Sequence, residues 1–225
     1  MKVELEKLLL ELKSAYKISD IKNNKYCFEN NRKWGYSLIE SSLEVNQPLI
    51  IGFNWGVNKK WDDYKQGKAY KNQEEIEKRD VNLREYKGFV QKVLKTGKRH
   101  FPKIRFEKAS HSNFCFFRSE KENQISEKDI NLCLPIFLEM IEIVKPNVIF
   151  CFSSKAKDFL LNKGFIHNQK TKTIQLTREK GNSYKVVVGL TNAGIPIFCL
   201  PHSSSRLKNE VRENAWKFAV ENNPI

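Results

Sequence analysis

The side chains of this 225-residue chain that are able to do chemistry lie in three short segments. They are Gly52-Phe53-Asn54-Trp55-Gly56, His111-Ser112-Asn113-Phe114-Cys115 and Pro201-His202-Ser203-Ser204-Ser205-Arg206. The amide of Asn54 can orient and weakly polarise a water, but it is no strong base. His202 carries an imidazole that, even neutral, can donate a hydrogen bond where negative charge develops. Asn113 combines a donor and an acceptor on one planar group. Ser203, Ser204 and Ser205 bring hydroxyls and backbone N–H groups of the kind that hold phosphates ahead of a helix, and Arg206 adds a guanidinium. Each segment alone is also ordinary turn chemistry, because Gly, Asn and Ser are the usual turn residues. Their common place at or beside strand ends, in a basic chain, sets them apart.

The elements that must position these groups follow from the apolar pattern. Leu5, Leu8, Leu9, Leu12 and Tyr16 form a helical stripe near the N-terminus. Gln47 to Phe53 is an apolar run entered through Pro48 and left at Gly52, a strand covered on both faces. Ile76, Leu83, Tyr86, Val90 and Leu94 mark an amphipathic helix that stops near Gly97. His111 to Phe117 is a short strand. Ser126 with Asp129 caps a helix carrying Ile130, Leu134, Phe137, Ile141 and Val144, which Pro146 ends. The run Asn147 to Phe152 is the next buried strand, and Ser153 or Ser154 caps a helix ending at Gly164. Thr173 to Gly189 reads as a hairpin turning at Gly181-Asn182, Ile195 to Leu200 as a further strand, and Arg206 to Glu221 as the last helix. In open parallel sheets the functional loops leave the carboxyl ends of the strands. Strands alternating with helices predict an α/β fold with a mostly parallel sheet of about four strands.

Composition narrows the partners. The 40 Lys and Arg against 26 Asp and Glu give a net charge of +14, which favours a polyanion, nucleic acid ahead of an anionic membrane. Lysines spread over solvated faces are the plainer alternative. With 40% hydrophobic and 12% aromatic residues the chain is too apolar to be disordered. The longest apolar stretches are strand-length, far short of a membrane span. The N-terminus alternates charge with leucine and lacks a small-residue cleavage site, unlike a secretory leader. A cytoplasmic protein is expected. The five cysteines form no C-x-x-C pair, and Cys115, Cys151 and Cys199 sit inside apolar runs, as buried free thiols of a reducing compartment do. The four histidines lie far apart, so neither metal nor other cofactor is expected.

The three segments together resemble a family. GFNWG after a buried strand is similar to the G-x-N-P-G first motif of the uracil-DNA glycosylase superfamily, nearest its mismatch-specific and single-strand-selective branches. PHSSSR resembles that superfamily's second motif, of which H-P-S-P-R is one variant. HSNFC resembles its N-x-C element, and KPNVIFCF the strand that precedes a helix in the same fold. The resemblance covers about residues 47 to 221, in the right order. It implies a three-layer α/β sandwich around a central, mostly parallel four-stranded sheet. The whole chain, 1–225, is then a single domain, with 1–46 an N-terminal helical extension and 47–221 the core. It also implies a monomeric, monofunctional DNA glycosylase that flips uracil or another altered pyrimidine out of DNA and hydrolyses its N-glycosidic bond in base-excision repair.

Under that resemblance Asn54 and His202 are the catalytic residues, the first placing the water and the second steadying the departing base anion. Asn113 reads the Watson–Crick edge of the base, and Phe53 and Trp55 line its site. Ser203, Ser204 and Ser205 hold DNA phosphates, and Arg206 either fills the hole left in the duplex or makes one more phosphate contact. Phe53, Trp61, Tyr64 and Tyr70 are candidates for the aromatic on which the flipped base rests. Two departures bear on the substrate. Trp55 replaces the usual proline of the first motif, and Ser203 replaces the proline of H-P-S. A glycosylase for a bulkier modified base, for example in foreign DNA, and a catalytically silent DNA-binding protein of the same fold both remain open at this level.

Overall fold

The structure, a computed structural model, describes residues 1–22, 34–39, 41, 44–56, 72–73, 89–175, 183–202 and 208–224. Six strands form one mixed sheet in the order β2-β1-β3-β6-β5-β4. They are β1 (Pro48–Gly56), β2 (Ser110–Ser119), β3 (Val148–Cys151), β4 (Ile166–Gln175), β5 (Ser183–Thr191) and β6 (Pro196–Cys199). Among the described residues five helices accompany them: α1 (Lys2–Lys17), α2 (Phe89–His100), α3 (Glu127–Val144), α4 (Ser154–Asn162) and α5 (Asn209–Glu221).

The expected four-stranded, mostly parallel sheet is therefore corrected to six strands of mixed direction. β1 pairs with β3, and β3 with β6, in parallel, whereas β5 runs antiparallel to both β6 and β4. The hairpin read from Thr173 onward is continuous with the sheet and begins earlier, at Ile166. Most of β4 is exposed, so it has no apolar alternation to announce it. The expected turn at Gly181-Asn182 lies outside the described residues.

The chain divides into two compact units. The first contains residues 1–40, 52–79 and 112–145. In it the leucine stripe of α1 (Leu5, Leu8, Leu9, Leu12) is buried and the helix packs on α3. Tyr16 closes this core, its ring 5.5 Å from that of Phe117 and its hydroxyl accepting the Gly35 N–H at 3.1 Å. α3 opens with the expected cap. The Ser126 hydroxyl accepts the Asp129 N–H, and the Asp129 carboxylate accepts the Ser126 N–H as well as those of Asp20 and Ile21. Asp129 is fully buried, and these bonds satisfy it.

The second unit contains residues 41–51, 80–111 and 146–225. Its core sets Phe150 and Phe198, directly paired on β3 and β6, against Phe101, Phe106 and Trp216. α2 ends at His100, three residues past Gly97, and Ile76, Leu83 and Tyr86 of its expected stripe lie outside the described residues. A Cβ at Gly97 would collide with the Phe106 ring, so the glycine admits an aromatic rather than ending the helix. Gly164, by contrast, has φ +68° and terminates α4 as the sequence predicts. The last helix begins at Asn209, and Leu207 lies outside the described residues.

Candidate active site

Within the first unit, β1 does not break at Gly52. It continues as regular strand through Asn54 to Gly56, so the first motif is strand rather than a loop beyond it. Successive strand residues face opposite sides of a sheet, which places Gly52 and Asn54 on one face and Phe53 and Trp55 on the other. Asn113, on β2, joins the first pair. A Cβ built on Gly52 would fall well inside van der Waals separation of the Asn113 Oδ1. The glycine is thus what makes room for the Asn113 amide. Asn113 is buried, yet its amide makes no hydrogen bond to any described residue.

The amide of Asn54 is held in one orientation. Its Nδ2 donates to the Ser119 Oγ at 2.7 Å and to the Trp55 carbonyl at 3.1 Å, with the Phe117 carbonyl at 3.5 Å. Carbonyl oxygens only accept, so the nitrogen must face them and Oδ1 is turned away. No described residue donates to that oxygen. Asn54 therefore presents a fixed acceptor, half exposed, on the face it shares with Gly52.

Phe53 and Trp55 do not join this group. Both are buried, the Trp55 indole N–H donates to the Ser37 carbonyl, and the Arg118 guanidinium lies over the indole, 5.8 Å from its centroid. Their place on the opposite face separates them from Asn54 and Asn113. Trp61, Tyr64 and Tyr70 lie outside the described residues, as do Ser203, Ser204, Ser205 and Arg206.

His202 belongs to the second unit, three residues beyond the end of β6. Its ring stacks on Phe89, at the start of α2, with centroids 4.3 Å apart and planes within 4°. Phe89 in turn meets Phe152 edge-on at 5.4 Å and has the His111 ring at 6.1 Å. Burial in this aromatic setting holds the His202 imidazole below its ordinary pKa. Neutral at physiological pH, it still carries one N–H donor. Acidification therefore protonates the unfolded chain's His202 first, near pH 6.5, and the folded one only at lower pH. This histidine's contribution to stability is complete above that range and is lost as pH falls through the lower, folded value. Thermal midpoints measured from pH 8 to pH 5 should drop more steeply for the wild type than for His202→Gln. Parallel curves would show that His202 titrates as it does in the unfolded chain.

Sequence reasoning missed two residues of these groups. Phe89 sits between Tyr86 and Val90, which carried the helical pattern, and nothing in its spacing sets it apart. Ser119 ends β2 as an unremarkable serine, and only strand pairing brings it to Asn54. Among the described residues no group of three His, Cys, Asp or Glu side chains gathers as metal ligands do. Cys115, Cys133, Cys151 and Cys199 are buried free thiols, and Cys27 lies outside the described residues.

Six strands of mixed direction and, among the described residues, five helices define the class of fold, an α/β one. The model of the uracil DNA glycosylase superfamily matches residues 74–223, and the chain belongs to that superfamily. Its members are DNA glycosylases, DNA-binding hydrolases of base-excision repair. The matched stretch includes Asn113 and His202, while Asn54 precedes it. Among curated proteins no sequence matches the chain significantly. No helix among the described residues is long and apolar enough to cross a membrane.

Proposed function

We propose that the chain is a monofunctional DNA glycosylase that flips out and hydrolytically removes uracil or another altered pyrimidine. The observation that carries the reading is the orientation of Asn54, whose nitrogen is engaged and whose oxygen is left to accept. A water donating to that Oδ1 is held with its lone pairs available for the sugar C1′. The amide cannot take the proton, so the glycosidic electron pair leaves with the base before water adds. The water's proton is released after the new C–O bond has formed. His202, kept neutral by burial, donates its N–H to the base oxygen on which that electron pair delocalises. Asn113, with donor and acceptor uncommitted to the fold, reads the base edge. Ser203, Ser204, Ser205 and Arg206 bind the phosphates, and the net charge of +14 supplies general affinity for DNA.

The buried place of Trp55 on the opposite face removes the main argument for a bulkier base, namely that this side chain reshapes the water site. The deciding experiment is incubation with single- and double-stranded oligonucleotides bearing one deoxyuridine, one 5-hydroxymethyldeoxyuridine or one mismatched thymidine, followed by alkaline cleavage of abasic sites. Release of at least one base, fastest for deoxyuridine, is expected. Tight binding with no release from any substrate would make the chain a silent DNA-binding protein.

A further inference from the structure

We infer that Ser119 is the positioning residue that sets the Asn54 amide for water placement, an inference that rests on the proposed role of Asn54. Ser119 closes β2 and is buried. Its hydroxyl donates its one proton to the Lys121 carbonyl at 2.8 Å, so toward Asn54 it can only accept, and it does so at 2.7 Å. The direction of this chain of bonds is fixed from its backbone end. The Lys121 carbonyl is itself held by the turn at Glu122–Gln124, where the Gln124 N–H donates to it at 3.1 Å. The Gln124 side chain returns to accept the Lys121 N–H at 2.8 Å.

Ser119 provides the shortest of the three contacts to Asn54 Nδ2, and it is the one side chain among them. If the amide turned over, Oδ1 would face two carbonyls and a hydroxyl whose proton is already committed, a repulsive arrangement on every side. Without the hydroxyl, Nδ2 keeps only the backbone contacts at 3.1 and 3.5 Å, and the plane of the amide is no longer set by a short bond. The acceptor direction of Oδ1 then spreads, and the water it places spreads with it. A misplaced reactant slows the chemical step without weakening the binding of the rest of the substrate.

The test uses the full chain and the oligonucleotide whose altered base the wild type releases fastest. Ser119→Ala should lower the single-turnover rate about tenfold, with DNA Kd within about twofold and the thermal midpoint close to that of the wild type. Ser119→Thr, which keeps the hydroxyl, should recover most of the rate. Ser119→Cys keeps the branching of the side chain but offers a larger and weaker acceptor, and it should also be slow. A rate within about twofold of wild type for Ser119→Ala or Ser119→Cys, an equal loss in Ser119→Thr, or a loss confined to affinity would overturn the assignment. The two readings fail separately. An Asn54→Ala variant as fast as the wild type removes the role of Asn54 itself. A dead Asn54→Ala beside a fully active Ser119→Ala removes only that of Ser119.

Discussion

Asn54→Ala should slow base release by about 10²- to 10³-fold in single turnover, ~3–4 kcal/mol of transition-state stabilisation, and leave DNA affinity nearly unchanged. The separation of rate from affinity follows from where the interactions are made. In the proposed reaction the amide oxygen meets a water and developing charge, not the DNA backbone, so its removal is felt only as the bond breaks. On the same proposal, affinity rests instead on the excess of lysine and arginine, which the substitution leaves intact. The fold loses little as well. Asn54 is half exposed, and the groups that accept from it are two carbonyls and one serine hydroxyl that keeps its bond to Lys121. Single-turnover rates and equilibrium binding, measured on the same altered-base oligonucleotide, check both halves of the expectation. A parallel fall in rate and affinity would make Asn54 a binding residue.

What the sequence discloses of this fold is what hydrophobic burial writes into it. The runs around Leu49–Ile51, Ile149–Phe150 and Ile197–Phe198 are buried on both faces, and each appears as an uninterrupted apolar stretch. Ser126, Ser153 and Gly164 mark helix ends because capping is local. Pairing between strands leaves no such trace. β4 is exposed along most of its length, so neither its beginning nor its antiparallel junction with β5 shows in composition. The same holds for the site. Gly52 and Asn54 look like turn residues and in fact continue a strand. Once that is known, their spacing of two puts them on one face and sends Phe53 and Trp55 to the other. Asn113 can be picked out as an amide able to read a base edge, but its dependence on a glycine across the sheet cannot. Ser119 comes into view only through its distance to Asn54.

Gly52→Ala is expected to do what substitution of a strand glycine seldom does, which is to damage function and fold together through one atom. Replacing glycine by alanine on a compatible strand backbone usually stabilises, by about 0.4–1 kcal/mol, because the unfolded chain loses freedom. Here the added methyl would overlap the Asn113 Oδ1, in a region where the asparagine is already buried. Either the Asn113 amide rotates away or the strands part, and overpacking of this kind costs about 1–3 kcal/mol. Base release should fall by at least tenfold if Asn113 has the proposed role, since the displaced amide then no longer presents its donor and acceptor to a base edge. The two losses can be taken apart. Because the Asn113 amide bonds to no described residue, its removal deprives the fold of little. In the Gly52→Ala/Asn113→Ala double variant the methyl meets no amide, and the thermal midpoint should return to near the wild-type value. Base release should stay as low as in Asn113→Ala alone, because the group proposed to read the base is gone. Recovery of activity along with stability would show that Asn113 is a packing residue. A Gly52→Ala variant with wild-type midpoint and rate would show that the approach of Asn113 to Gly52 is not needed for either.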